Sequence, residues 1–431
     1  MKDGSMRQFL AVWTLLCLTT LEAAEPSALV WPAFRGTGNS RAEAARVPIT
    51  WQLRGRSAES WTIRLPGYGQ SSPVVWGGRV YVTAVSGDEK EHLHVLAMDL
   101  KTGRLLWQRD FEGTQHVPDA DAVSRGAPTP CIDNDRLYVM FESGDLFALS
   151  HAGDLQWQRS IVRDYGEFQG PHGYASSPVL AADRLVVQVC HSGPSYILAV
   201  DKSTGQNLWK VDHPSQTAWS TPTVFQQDAV TGVIVSSSGS VRAYDVENGR
   251  ELWFVTGIQG NTTASPTVSD GVVLIGGSSE RRGPPPPPGV TTGSLAIRLG
   301  GEGDVSATHV LWKSPKVAAG YASPLVADGR AYFIGRLGTM QCVDVRTGDV
   351  VWQHRLPDTA WASPLLANGH IFVFCKDGTV SVLAPGPELR EMGESTISST
   401  DIIYGVAVTD DAWIVRTGRG LTRITHQGNA E

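Results

Sequence analysis

One recurring pattern, Ala-x-Asp-x-x-Thr-Gly-x-x-x-Trp, constrains this chain more than any other feature. It is complete at Ala97, Asp99, Thr102, Gly103 and Trp107, and again at Ala199, Asp201, Thr204, Gly205 and Trp209. At Ala243, Asp245, Asn248, Gly249 and Trp253 only the threonine changes, and at Cys342, Asp344, Thr347, Gly348 and Trp352 cysteine stands for alanine. The residue types are those of a strand, a tight turn and a second strand. Asp accepts a local backbone hydrogen bond that sets the turn, and Gly permits the positive φ such turns need. A small residue across the strand pair from Trp leaves a slot for an indole, whose burial contributes on the order of 3 kcal/mol.

A second signal recurs ahead of the first. Ser or Thr precedes Pro at Ser72, Thr129, Ser177, Thr221, Ser265, Ser323 and Ser363, each time at the head of a short strand. A turn and an alternating apolar strand follow, as in Arg79–Thr83, Arg136–Met140 and His370–Phe374; period-two alternation marks half-buried strands. Tryptophan then marks a fourth strand at Trp107, Trp157, Trp209, Trp253, Trp312 and Trp352. Four strands in ~40 to 50 residues is the period of a propeller blade. Proline at the head of each first strand fits the inner edge of a blade, where one missing N–H costs little.

The count predicts an all-β, eight-bladed β-propeller of four-stranded antiparallel blades. The unit after Pro364 lacks its tryptophan, and the last unit, Tyr404 to Ile424, lacks a fourth strand. Trp61 to Pro66 reads like the missing strand, so residues 51–65 are expected to pair with residues 404–425 and close the ring, hiding two edges. The expected division is residues 1–24 a signal peptide, 25–50 a lead-in, 51–425 the propeller and 426–431 a tail. A length of 431 residues would by itself suggest about three domains at ~150 residues each, which the repeat overrides. With 41% hydrophobic residues, 18% charged ones and a net charge of −7, the chain is neither disordered nor a binder of nucleic acid.

Lys2 and Arg7 precede an uncharged apolar run from Phe9 to Leu21, which reads as a secretory signal and is too short for a membrane span of ~20 residues. Glu22 beside Ala23 and Ala24 makes the cleavage site imperfect, so a retained anchor is the alternative, and Leu16 before Cys17 argues against lipidation. No transmembrane span is expected in the mature chain, and the location is expected to be the periplasm or cell envelope. Cys131, Cys190, Cys342 and Cys375 lie far apart in apolar runs without any C-x-x-C pair, and are read as small buried residues rather than a bridge.

These repeats resemble the quinoprotein-like eight-bladed propellers that carry pyrroloquinoline quinone (PQQ) type repeats, over roughly residues 30–425. The Ala-x-Asp-x-x-Thr-Gly-x-x-x-Trp pattern is similar to their tryptophan-docking motif, and Trp31 to Asn39 resembles the lead-in of exported bacterial members. The resemblance implies structural roles for Trp61, Trp107, Trp157, Trp209, Trp253, Trp312 and Trp352 and for Gly103, Gly205, Gly249 and Gly348. It also implies two functional branches. One is the alcohol dehydrogenases, with PQQ and calcium at the axis; their chains are generally longer, and the adjacent cysteines of the methanol-oxidising type are absent here. The other is similar to the propeller lipoprotein of the outer-membrane barrel-assembly machinery, which binds partner proteins and no cofactor; its lipid-acceptor site is missing from this chain.

Loops leading into the first strands gather on one face around the axis. They hold Tyr68, Arg125, Tyr174, Trp219, Tyr321, Trp361 and Tyr404, a set that can bind a ligand or plug the hub. Two adjacent long loops add His116, Asp119 and Asp121, and Arg163, Asp164, Glu167 and His172, without diagnostic metal spacing. Ser86 to His92, with Asp88, Glu89, Lys90 and Glu91, reads as a hydrated turn, and Arg281 to Gly289, with five prolines, as a protruding insertion in the fifth repeat. Asn261-Thr-Thr263 matches a glycosylation acceptor, and no P-loop, H-E-x-x-H or G-x-S-x-G is present.

The chain is therefore read as an exported non-catalytic propeller that holds a protein or envelope ligand, with no cofactor and no metal. The first alternative is a PQQ- and calcium-dependent dehydrogenase using Asp119, Asp121, Glu167 and Arg125. The second is a glycan-binding module.

Overall fold

A computed structural model describes Met1 and residues 30–51, 59–214, 216–279, 286–398 and 401–426. The expected signal segment and part of the proline run lie outside the described residues. Eight four-stranded antiparallel blades surround one axis, and among the described residues the single helix is the short turn Ile161–Tyr165. Blade 1 is built from Val74–Trp76, Arg79–Ser86, His92–Asp99 and Leu105–Glu112, from the axis outward. Its middle strands are buried along almost their whole length, while the outermost alternates with solvent. The other blades repeat this order.

The ring closes as the repeat count requires. Blade 8 consists of Ile403–Val408, Ala412–Thr417 and Gly420–Thr425, with Glu59–Arg64 as its outer strand. Ile63 lies opposite Leu421 and Thr62 opposite Thr422, so an edge that an open array would expose is paired. Around the hub, Val74–Trp76 touches both Cys131–Ile132 of blade 2 and Ile403–Val408 of blade 8.

The docking motif acts between blades as well as within them. Ala97 and Ala199 sit directly across the strand pair from Trp107 and Trp209. Each indole then reaches the turn of the next blade, where its N–H donates to a carbonyl: Trp61 to Leu100 at 3.1 Å, Trp107 to His151 at 3.0 Å, Trp157 to Lys202 at 3.0 Å, Trp209 to Val246 at 2.8 Å, Trp312 to Val345 at 2.9 Å and Trp352 to Gly386 at 3.2 Å. The turn glycine lies flat beneath the ring. At Gly103, φ is +70° and a Cβ would come within 2.8 Å of Trp61, so both the conformation and the space demand glycine. Asp99 holds the turn, its Oδ1 accepting the Lys101 and Thr102 N–H groups and the Thr102 hydroxyl at 3.1, 2.8 and 2.7 Å.

Two seams depart from the pattern. Trp253 is buried, but among the described residues its indole N–H has no hydrogen-bond partner; blade 5 has no Asp-x-x-Thr-Gly turn, and Gly303–Asp304 from its inserted loop pairs with the strand that carries Trp253. Between blades 7 and 8 the tryptophan is missing, and Gly393 faces Val382 in its place. The lead-in fills this gap. Thr50 lies over Gly393, Trp51 is buried with its indole N–H on the Thr396 carbonyl at 3.2 Å, and Trp413 donates to the Pro48 carbonyl at 3.1 Å.

The Ser/Thr before each proline has a role its sequence position does not disclose. Six of the seven donate their backbone N–H to the side-chain hydroxyl of the counterpart one blade on: Ser72 to Thr129, Thr129 to Ser177, Ser177 to Thr221, Thr221 to Ser265, Ser265 to Ser323 and Ser323 to Ser363, at 2.8 to 3.0 Å. A belt of hydrogen bonds thus runs around the hub from blade 1 to blade 7 and satisfies buried N–H groups.

The end of the hub opposite the first-strand loops is covered by the lead-in. Trp31 pairs with Val75, the Pro32 carbonyl accepts from Ile132, and Arg41–Ala42 runs parallel to Leu365–Ala367. Arg35 is 4% exposed and donates to Ser40 Oγ, the Pro266 and Pro324 carbonyls and Thr267 Oγ1. Burial lowers its guanidinium to about 9.

Cys131, Cys190, Cys342 and Cys375 are free and buried, and burial pushes their thiols up. Two readings of loops need correction. Lys90 belongs to no hydrated turn: it is 4% exposed, and its Nζ donates to the Ser124 carbonyl at 2.8 Å. Asn261 is fully buried, with its amide donating to Ser236 Oγ and to the Ser237 and Ser240 carbonyls, so it is not a glycosylation acceptor.

Candidate functional site: an aromatic arc at one mouth of the hub

The loops before the first strands bring five of the seven axial residues into one continuous arc. Tyr321 and Trp361 stack face to face at 3.9 Å with planes 8° apart. Trp361 meets Tyr404 edge-on at 5.6 Å, and Tyr404 meets Tyr68 at 6.0 Å with their hydroxyls 2.9 Å apart. Arg125 lies over the Tyr68 ring at 4.7 Å and Arg419 at 5.7 Å, while Arg336 covers Tyr321 at 5.0 Å. The rings are half-buried, so each keeps an accessible face or edge between cationic ends.

Backbone and buried charges fix this arrangement. Tyr68 pairs with Val85 through two backbone hydrogen bonds, and its hydroxyl donates to Asp401 at 3.0 Å. Burial, with the Tyr404 hydroxyl next to it, raises the Tyr68 phenol above its ordinary value. Beneath lies Arg416, fully buried, donating to the Gly69, Thr83 and Gly418 carbonyls; burial lowers it to about 9, against the pull of Tyr68 and Asp401. Glu142, also buried, accepts the Gly126 N–H at 2.7 Å and anchors the loop that carries Arg125; burial raises its carboxyl. Sequence reading missed Arg416 and Glu142. An arginine ending the apolar run from Ala412 was the available signal.

The remaining predicted residues do not join the arc. Tyr174 is buried, stacked on Phe168 at 4.8 Å, so it packs the wall of the hub rather than its mouth. Trp219 stands apart with His172, their rings 5.6 Å apart. Asp119 and Asp121 both pair with Arg125, at 2.5 and 2.8 Å; His116 is 3.4 Å from Glu89, and Glu167 is exposed on its loop. Among the described residues no group of three or more His, Cys, Asp or Glu is placed to hold a metal ion.

These residues do not fit PQQ with calcium. The Asp119, Asp121 and Asp401 carboxylates beside the arc are committed to Arg125 or to a tyrosine hydroxyl, Glu142 is buried under the loop that carries Arg125, and the two most parallel rings are in contact with each other, with no slot for a planar cofactor between them.

Repeat geometry, docking seams and ring closure define the class: an eight-bladed propeller of the PQQ-repeat type. The model of a family described as outer membrane protein assembly factor BamB matches residues 56–193, 166–283 and 301–386, and the chain belongs to that family. No curated protein matches it. Among solved structures, BamB from Moraxella catarrhalis is similar at 15% identity and a TM-score of 0.61, over 86% of this chain and 98% of that one. A europium-containing methanol dehydrogenase is similar at 11% identity and a TM-score of 0.65, over 91% and 90%. A quinohemoprotein alcohol dehydrogenase from Comamonas testosteroni is similar at 12% identity and 0.62, over 93% and 81%. At such identities the likeness establishes the fold. No helix of the described residues is long and apolar enough to cross a membrane.

Proposed function

We propose that this chain is an exported, non-catalytic propeller that holds a protein partner of the cell envelope at its open axial mouth. The observation that carries this reading is the arc from Tyr321 to Tyr68, bracketed by Arg336, Arg125 and Arg419. Tyr, Trp and Arg are the residue types that dominate protein-binding hot spots, because they combine large contact area with a polar tip. Arginines at both ends favour a partner segment bearing carboxylates and apolar side chains. Export is supported by the apolar run after Lys2 and Arg7 and by membership of an envelope-protein family.

The test is a photocrosslinking amino acid at the exposed Arg419, with irradiation in the native envelope. A discrete crosslinked protein is expected, and Trp361→Ala should reduce its yield about tenfold or more, the effect of one hot-spot aromatic. The reading is overturned by diffuse crosslinking that ignores Trp361, or by stoichiometric PQQ uptake with dye-linked alcohol oxidation.

A further inference from the structure

The same mouth carries a second recognition surface whose chemistry differs from that of the arc. A pocket of about 480 Å³ opens beside Trp219, lined also by His172, Gln216, Thr217, Ser238 and Thr262. This lies within the range of small-molecule sites, about 300–1,000 Å³. The indole is held rigidly. Its N–H donates to the Gly173 carbonyl at 2.9 Å, and the backbone N–H groups of Trp219 and Ser220 both donate to the Thr262 carbonyl. Asn261, fully buried behind Thr262, secures that stretch, and His172 is set edge-on to the indole by its Nδ1 contact with the Ala122 carbonyl at 2.8 Å.

Around this platform the polar groups are oriented but not consumed. Gln216 Oε1 accepts from the Ser237 and Ser240 hydroxyls at 2.9 and 3.2 Å, which leaves its amide nitrogen available. No hydrogen bond from another described residue engages the hydroxyls of Thr217, Ser238 or Thr262, or Nε2 of His172. Among the described residues that line it, no side chain is an Asp, Glu, Lys or Arg.

We infer that this pocket binds a neutral saccharide, one face of a sugar ring lying on the Trp219 indole and its hydroxyls meeting Gln216, Thr217, Ser238 and Thr262. A polyol offers alternating donors and acceptors at the spacing of amides and hydroxyls, and its C–H face is apolar enough to pack on an indole. An anion would find no arginine or lysine among the described lining residues, in contrast to the arc. Trp361, stacked beneath Tyr321, lacks a comparable free platform.

The experiment titrates the full chain with neutral cello-, malto-, laminari- and chito-oligosaccharides by calorimetry, and maps tryptophan oxidation by N-bromosuccinimide with mass spectrometry. At least one series should bind and shield Trp219 while leaving Trp361 reactive. Trp219→Ala should weaken binding about tenfold, roughly the worth of one aromatic platform. Trp219→Phe, which keeps a ring, should lose less, and Ser238→Ala combined with Thr262→Val should weaken binding without altering the thermal midpoint by more than a few degrees. The inference is overturned if no series binds, if Trp219→Ala binds as tightly as the parent, or if Trp361 is the residue shielded. Crosslinking from Arg419 in the Trp219→Ala variant reads the protein-binding proposal separately.

Discussion

At one mouth of the hub the chain lays residues 31–42 across its own inner strands and pins them with Arg35; at the other, arginines of the same chain rest on aromatic rings that face solvent. Both mouths use guanidinium groups, but in opposite environments. Arg35 is buried without a carboxylate, its donors spent on carbonyls and hydroxyls, so its role ends inside the fold. Arg125 and Arg336 remain partly accessible, so their cation–π contacts are open to competition from another molecule. The difference separates an end whose cation is satisfied inside the fold from an end whose cations and rings reach solvent.

The largest effect that can break this comparison comes from Arg35→Ala. It removes four buried hydrogen bonds at once, although the Pro266 and Pro324 carbonyls keep the Thr223 and Thr267 hydroxyls, and should destabilise the protein by about 3 kcal/mol, read from urea unfolding at neutral pH. Crosslinking from Arg419 should be unchanged; joint loss of both would show that the two mouths are not independent. A pH experiment comes next in size. His213, at the open-mouth end of the strand Asn207–His213, is lowered by burial to about 4. The unfolded chain therefore binds a proton between about pH 6.5 and 4 that the folded chain does not, and stability falls as pH drops through that window. His213→Gln should flatten that part of the urea-midpoint profile, and an unchanged slope would refute the assignment. The smallest effect is expected for Tyr68→Phe, which loses the hydroxyl contacts to Asp401 and Tyr404 and should cost about 1 kcal/mol by the same measurement. The ring remains, so crosslinking should persist.

Blade number, strand order and the closing partnership of Glu59–Arg64 with Gly420–Thr425 were legible because each rests on a pattern repeated at fixed spacing. What stayed hidden depends on single, non-periodic residues. Trp51 substitutes for the tryptophan absent at Gly393, yet no local motif distinguishes it from any other tryptophan in a lead-in. The hydroxyl belt was in plain view as Ser/Thr-Pro, but its partners lie one whole blade away, so only the proline suggested a meaning. At the mouth, loop position predicted which residues come near the axis. It did not predict that Tyr174 turns inward onto Phe168 or that Tyr321 and Trp361 close on each other, because rotamers and neighbours decide those outcomes.

The strand exchange in blade 8 also sets an order of assembly. Gly420–Thr425 is made long after Glu59–Arg64, so during synthesis the early strand waits without its companion while seven intervening wedges emerge. Contacts of such long sequence separation form late in folding. A chain held back in this way stays threadable until nearly all of it has been produced.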